Sequence, residues 1–291
     1  MQKRPKLPPW IRVKVNCGTK REEVAHLMDE LKLHSVCASA QCPNLSECWH
    51  KGTATFMILG DECTRNCKFC AVKHNPHPGP PDPEEVNHLV EAVKRMKLKY
   101  VVITCVTRDD LPDGGADTFA AVINALHAEA PATGIEVLTS DFNGNRENLK
   151  KVLDAGPTVF NHNVETVRRM AEQIRSKATY DRSMKVLRTA YELANGKIPV
   201  KSGLMVGLGE TDDEVLQTLE ELRENKVSIV TIGQYLPPSN SHWPLDRYVD
   251  PGQFEAYAEF ASKIGFKFVA SAPLVRSSYN AEELFSNNKK G

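Results

Sequence analysis

The 291-residue chain has no excess of charge of either sign, since 37 Lys and Arg balance 37 Asp and Glu. Without a global positive field, nucleic acid has to be held through a local basic patch, and none stands out along the chain. No apolar run approaches the eighteen or so residues needed to span a bilayer. The opening MQKRPKLPPWIRVKV is basic and proline-bearing but lacks the apolar core of a secretory signal, so export is not expected. Low-complexity tracts are absent, and the glycine fingerprint of a dinucleotide-binding turn is missing from the first strand-to-helix junction.

What the chain does have is cysteine: eight residues, six of them crowded into positions 37–70. In a long chain without an export signal, that crowding favours a metal or redox role over a disulfide framework. From about residue 50, short β-rich apolar runs alternate with helical patterns, as in βα repeats about a parallel sheet. Strands are expected near 54–59, 100–104, 135–138, 158–161, 199–206, 228–232 and 267–270. Asp82-Pro83-Glu84-Glu85, Thr211-Asp212-Asp213-Glu214 and Asp250-Pro251-Gly252-Gln253 each place a capping side chain three positions before Glu or Gln, so helices are expected to begin there. The expected fold class is α/β: a partial (β/α)6 TIM-type barrel over 50–270, with an N-terminal extension (1–49) and a C-terminal extension (271–291). An open doubly wound sheet is the alternative. In a barrel the chemistry gathers on loops that follow the C-terminal ends of strands.

On the first such loop stands Cys63-Thr64-Arg65-Asn66-Cys67-Lys68-Phe69-Cys70. Thiolates suit zinc or an iron–sulfur cluster. A closed zinc site wants four ligands and a cubane one per iron, so three cysteines leave one iron open. An open iron can be chelated by the amino and carboxylate groups of a methionine moiety, which points to S-adenosylmethionine. The Cys-x3-Cys-x-aromatic-Cys pattern, with Phe69 as the aromatic, resembles the cluster loop of radical S-adenosylmethionine enzymes; zinc or bystander cysteines are the competing reading.

Upstream lies Cys37-Ala38-Ser39-Ala40-Gln41-Cys42-Pro43-Asn44-Leu45-Ser46-Glu47-Cys48, a second triad that again lacks a fourth ligand nearby. A zinc knob completed by His34 or His50 is one way to close it. The two triads together resemble the lipoyl synthase family, and the resemblance continues through Pro43-Asn44, Glu47-Cys48-Trp49, Thr107-Arg108-Asp109-Asp110-Leu111, Asp113-Gly114-Gly115-Ala116, His162-Asn163-Val164-Glu165-Thr166 and Arg276-Ser277-Ser278-Tyr279.

The resemblance implies two [4Fe–4S] clusters and S-adenosylmethionine. Cys63, Cys67 and Cys70 are to hold the first cluster; Cys37, Cys42, Cys48 and Ser278, with Ser277 as fallback, the second. It further implies that these seven residues carry the catalysis, which inserts two sulfur atoms at C6 and C8 of an octanoyl group on a carrier lysine, with the second cluster as donor. An alkoxide ligand is harder than a thiolate and leaves iron more readily, which suits a cluster meant to be taken apart; a solvated tail is the bland reading of the two serines.

Phe69, Asn163, Glu165, Arg175, Met205 and Gly207 are the expected S-adenosylmethionine contacts. Gly203 to Glu210 resembles the superfamily's G-x-I-x-G-x-x-E element, although glycine turns precede helices for ordinary reasons too. Asn163 and Glu165 suit hydroxyl and ammonium donors, with helix capping as the competing role. Arg175 offers a bidentate match to a carboxylate or is a solvated helix arginine. Asp113-Gly114-Gly115 lacks the Glu of the superfamily's Gly-Gly-Glu turn. Gln234 to Ser239 is expected either to line the octanoyl channel or to dock the carrier. Cys105 stands where the family usually has a small residue such as Ser and is expected to be an isosteric replacement, with oxidation the liability of a thiol near the site; Cys17 has no motif around it.

The partners implied are octanoylated carrier domains (2-oxoacid dehydrogenase E2 subunits, glycine cleavage H protein), an electron donor such as flavodoxin or ferredoxin, and an iron–sulfur cluster carrier protein, with no nucleic acid and no membrane. A monomer in bacterial cytoplasm, or in an organelle matrix or stroma, completes the expectation. Another radical sulfur inserter would not predict both the second triad and the terminal Arg-Ser-Ser-Tyr, and a zinc-stabilised binding module would be colourless.

Overall fold

Runs such as Tyr100–Cys105 (YVVITC), rich in β-branched residues and buried along almost their whole length, suit strands covered on both faces. The computed structural model describes residues 6–12, 19–50 and 55–278. Cys17 and Tyr279 lie outside them. The N-terminal extension contributes α1 (Thr19–Glu30), β1 (His34–Ser35), α2 (Val36–Ser39) and α3 (Leu45–His50). After β2 (Thr55–Ile58) come the two-residue strands β3 (Glu62–Cys63) and β4 (Lys73–His74). The chain then alternates through α4 (Glu85–Met96), β5 (Tyr100–Cys105), α5 (Ala116–Glu129), β6 (Gly134–Leu138), α6 (Arg146–Asp154) and β7 (Val159–Asn161). It continues with α7 (Arg168–Ile174), α8 (Tyr180–Leu193), β8 (Val200–Val206), α9 (Asp212–Glu224), β9 (Ile229–Gln234), α10 (Pro251–Lys263) and β10 (Phe268–Ser271).

The main sheet runs β1-β2-β5-β6-β7-β8-β9-β10. Every pairing from β2 onward is parallel, and β1 is antiparallel to β2. Strand order follows the chain without the reversal that marks a doubly wound sheet, which removes that alternative. Because β1 and β10 are not neighbours, the barrel stays open. All seven expected strands form; the last, β10, pairs with β9 from Phe268↔Ile229 to Ser271↔Ile232 and adds a seventh parallel strand beyond the six βα units.

Two of the three helix starts follow the sequence signal. Thr211 and Glu214 form a reciprocal capping box, and Asp250 accepts from Gly252 N at 2.9 Å with Pro251 opening α10. The third differs. Asp82 accepts from Glu84 N at 2.9 Å, but α4 begins only at Glu85. The Glu85 carboxylate turns inward instead, to accept from Leu59 N (2.8 Å) and Gly60 N (3.3 Å) at the end of β2. Leu59 and Gly60 have positive φ, 71° and 90°, so this buried carboxylate pins a turn that the backbone disfavours for Leu.

Four consecutive strands of the sheet share a buried polar group. Glu136 of β6 accepts from Lys201 Nζ of β8 (2.8 Å), Asn161 Nδ2 of β7 (3.0 Å) and Tyr100 Oη of β5 (3.0 Å). Side chains from strands this far apart in the sheet meet only on its concave face. Glu136 and Lys201 are both fully buried, an arrangement tolerated because the charges are paired and the remaining lone pairs are hydrogen-bonded. No helix among the described residues is long and apolar enough to cross a membrane.

Candidate active site

The Leu59-Gly60 turn delivers the chain to the C-terminal mouth of the barrel. There β3 pairs in parallel with β4, setting Cys63 opposite His74. Thr64 ties the loop to the next one: its N–H and its hydroxyl both donate to Thr107 O (2.9 Å each), and Asp109 N donates back to Thr64 Oγ1 at 3.0 Å. Arg65 extends the tie. Its guanidinium meets Asp109 (2.9 and 2.7 Å), Asp141 (2.7 Å) and Asn143 (3.1 Å), while Arg182 Nε on α8 donates to the second Asp141 oxygen at 2.7 Å. Farther along, Lys68 N donates to Ile174 O (2.8 Å) and Trp243 N to Lys68 O (2.8 Å), and His242 Nε2 lies 3.2 Å from Cys70 O. The three-cysteine loop is thus moored at both ends to different barrel units.

Cys63, Cys67 and Cys70 are free thiols, each partly exposed. They perturb one another electrostatically, and burial pushes the Cys70 thiol up to about 12. Ser176 N donates to Cys67 Sγ at 3.3 Å and Arg65 N to Cys63 Sγ at 3.4 Å. Among the described residues no three His, Cys, Asp or Glu side chains converge tightly enough to hold a single metal ion. A cluster asks for something wider, one thiolate for each iron, and three free thiolates on one moored loop fit it. Phe69 packs on the apolar core.

Asp141 is fully buried, and although burial opposes its charge, Arg65 and Arg182 hold its carboxyl well below the usual carboxylate range. A depressed folded-state value contributes stability that is complete above the unfolded value of about 3.9 and is lost as pH falls below it. Asp141→Asn is therefore expected to cost about 3–5 kcal/mol, the cost of breaking a buried pair, and to flatten the acid limb of stability below about pH 4. Urea unfolding of the metal-free protein across pH measures both.

The cradle beside the loop takes its shape from β7 and β8. Asn163 Nδ2 donates to Ser277 Oγ at 2.7 Å, while its Oδ1 is buried without a hydrogen-bond partner. Such an orphaned acceptor fits a donor brought by a ligand. Glu165 has φ 67° and joins β8 through a bridge to Leu204, with Glu165 N on Gly203 O (3.0 Å) and Met205 N on Glu165 O (2.8 Å). Burial raises the Glu165 carboxyl, against the lowering influence of Arg175 and Asn163. Arg175 caps the C-terminus of α7 in extended conformation, and its charge interacts with Glu165 and Cys67. These residues come together; Met205 instead packs against the core beneath them.

Gly207, at φ 95°, answers a backbone need: a Cβ there would lie 2.3 Å from Gln234 Nε2 and 2.5 Å from Arg247 O. Glu210 holds the turn by accepting from Gly207 N (2.6 Å) and Leu208 N (2.8 Å). Asp113 caps the following loop, accepting from Gly115 N (3.1 Å) and Asp117 N (2.7 Å). Gln234 spends its amide on Val206 O, Tyr235 O and Arg247 O and accepts from Val249 N; Tyr235 is buried with its hydroxyl on Trp243 O. Neither is available to a channel, so within 234–239 only the later residues remain for that role. Burial pushes the Cys105 thiol up to about 12, and a protonated thiol is a poor target for oxidation.

The second triad sits on the N-terminal extension. Cys37 lies on α2, Cys42 N donates to Cys37 O (2.9 Å) and Cys48 N to Asn44 O (2.9 Å). Burial and the neighbouring Cys37 raise the Cys42 thiol. The C-terminal segment reaches this triad, with Asn44 Nδ2 donating to Leu274 O at 2.6 Å and the Arg276 charge acting on Cys42. Glycines make room for the segment: a Cβ on Gly233 would sit 2.2 Å from Val275 O, and one on Gly203 3.2 Å from Ser277 Oγ. Gly233→Ala is expected to displace residues 273–278 and raise their amide hydrogen exchange, while the Gly203–Gln234 strands stay protected.

Comparison with known proteins now discriminates. The model of the Radical SAM superfamily matches residues 57–222. Lipoyl synthase of Caldicellulosiruptor saccharolyticus is 53% identical over 278 residues, covering 96% of this chain and 97% of that one. The chain belongs to the lipoyl synthase family. Lipoyl synthase of Rubrobacter xylanophilus is 49% identical, covering 98% and 88% of the two chains. Among solved structures, the FeFe-hydrogenase maturase HydG from Carboxydothermus hydrogenoformans superposes with TM-score 0.57 at 12% identity, over 93% of this chain and 79% of its own, which shows the fold alone. As a lipoyl synthase family member the chain is an enzyme of radical S-adenosylmethionine sulfur insertion, and its superfamily brings a [4Fe–4S] cluster and S-adenosylmethionine.

Sequence alone assigned no role to Arg65, Asp141, Arg182 or Ser183, read Glu85 only as part of a helix start and His162 only as part of a motif. Most of their partners lie tens of residues away.

Proposed function

We propose that the enzyme inserts sulfur at C6 and C8 of an octanoyl group carried on a protein lysine, with a second [4Fe–4S] cluster on the N-terminal triad as the sulfur source. The observation that carries the two-cluster reading is the convergence of the C-terminal segment on Cys42, through Asn44–Leu274 and Arg276. This contact joins residues 230 apart in sequence and supports a ligand for the triad from the segment that carries Ser277 and Ser278. Ser278 is the favoured ligand, because the Ser277 hydroxyl is tied to Asn163.

When bound, the first cluster and S-adenosylmethionine supply a 5′-deoxyadenosyl radical able to remove hydrogen from unactivated carbon, and the second cluster supplies sulfide. The chain's part is to hold and orient. Cys63, Cys67 and Cys70 would ligate three irons, and Arg175 and Glu165 would offer opposite charges to the carboxylate and ammonium of methionine. Asn163 Oδ1 would accept from a ligand hydroxyl or ammonium, Phe69 backs the cluster loop, and the backbone from Met205 to Gly207 would bound the adenine side. A polar cavity of about 310 Å³ lined by Arg108, Asp109, Asn143, Asn145 and Asn148 suits the peptide flank of the carrier better than the C8 chain. Flavodoxin or ferredoxin as reductant and a cluster carrier for rebuilding complete the scheme, in bacterial cytoplasm or an organelle interior.

The test is anaerobic incubation of the reconstituted enzyme with an octanoyl-lysine peptide, reductant and S-adenosylmethionine. Mass spectrometry is expected to show one and then two added sulfurs. A peptide that stays unmodified while 5′-deoxyadenosine accumulates would overturn the substrate assignment.

A further inference from the structure

Arg175 is oriented by a relay that runs through Ser183 on α8 and His162 after β7 to the Thr139 carbonyl. Its Nη1 donates to Ser183 Oγ at 2.8 Å and lies 3.3 Å from Val164 O. Ser183 Oγ is also 3.0 Å from His162 Nε2, and His162 Nδ1 is 3.0 Å from Thr139 O. A carbonyl only accepts, so His162 Nδ1 carries the proton. The neutral ring then accepts at Nε2 from the Ser183 hydroxyl, whose lone pair receives Arg175. Burial and the Arg175 charge hold His162 neutral, down to about 4. In the chain Arg175, Ser183, His162, Thr139 each group donates to the next, so the relay has a single direction.

The relay is rigid. Ser183 is fully buried and His162 nearly so. Ser183 sits in the first turn of α8, whose start is fixed by Thr179 accepting from Arg182 N at 3.2 Å. Among the described residues, no protein acceptor bonds Arg175 Nε or Nη2. Nη1 is committed to the protein, while the Arg175 charge interacts with Glu165 and Cys67.

We propose that Ser183 and His162 are positioning residues for S-adenosylmethionine, holding the free edge of Arg175 toward the cluster-loop side of the cradle. The inference rests on the proposed role of Arg175 as the carboxylate contact. With the relay broken, Arg175 keeps its charge but gains rotamer freedom, so ligand binding weakens while the cluster persists.

The test uses the reconstituted full-length enzyme carrying Ser183→Ala, Ser183→Cys or Arg175→Ala. Ser183→Cys preserves volume and folding while replacing the hydroxyl by a poor donor and acceptor. Three quantities are read: iron content, the dissociation constant of S-adenosylmethionine, and the change in the reduced-cluster EPR signal when it is added. Both Ser183 variants are expected to keep their iron and bind S-adenosylmethionine about 10-fold more weakly, a difference of about 1.4 kcal/mol, with an EPR change altered from the wild type. KM rises while kcat at saturation changes less. Arg175→Ala that binds as tightly as wild type would remove the Arg175 assignment and the relay with it. Weakened binding in Arg175→Ala with wild-type affinity and EPR response in Ser183→Cys would overturn the relay alone.

Discussion

Replacing Cys67 by Ala is expected to abolish both 5′-deoxyadenosine release and sulfur insertion, a loss of at least about three orders of magnitude of the kind met when one member of a catalytic unit is removed. Cys67 stands mid-loop, between Arg65 on the Asp109–Asp141 side and Lys68 on the Ile174 side. These moorings do not depend on the sulfur, so the variant is expected to fold and to keep the second triad intact. Two thiols cannot support a cubane that needs a ligand on each of three irons. Iron analysis after reconstitution is expected to fall from about eight to about four per chain, and chromatography of the reaction to show no 5′-deoxyadenosine. Wild-type iron and 5′-deoxyadenosine would remove Cys67 from the ligand set.

Cys42→Ala separates the two halves of the chemistry. Cys42 belongs to the N-terminal extension and is reached by the C-terminal segment, whereas the cradle of Asn163, Glu165 and Arg175 is built on the barrel. Deoxyadenosine release is therefore expected to persist and sulfur-containing product to vanish. Mass spectrometry of the peptide and chromatography of the nucleoside, on one reaction mixture, give both readings. Iron again falls by about half, this time with the first cluster retained. A lipoyl product from this variant would refute the second triad as sulfur source.

The sequence was most informative where chemistry is written in local spacing. Cys63-x3-Cys67-x2-Cys70 and the Thr211–Glu214 capping box involve residues within one loop or one turn, so a short window holds the whole signal. The strands were legible because parallel strands buried on both faces must be continuously apolar. The misread α4 start shows the limit: Asp82 and Glu85 satisfy the cap pattern, but the tertiary demand of the Leu59-Gly60 turn takes the Glu85 carboxylate. Gln234 was misassigned for a related reason, since only the folded chain brings Val206, Arg247 and Val249 to one amide. The Arg65–Asp141–Arg182 bridge joins three separate units of the barrel and leaves no periodic trace.

Glu136 and Lys201 form a buried ion pair between β6 and β8, whereas the cluster loop, the cradle and the C-terminal segment all stand on stretches that follow the ends of strands. If the proposed acylated carrier seats on that side, whatever entered first lies underneath it, and the two proposed insertions then require an order of service: S-adenosylmethionine before carrier, and spent methionine and nucleoside out past it, or the carrier lifted, before a second S-adenosylmethionine can enter.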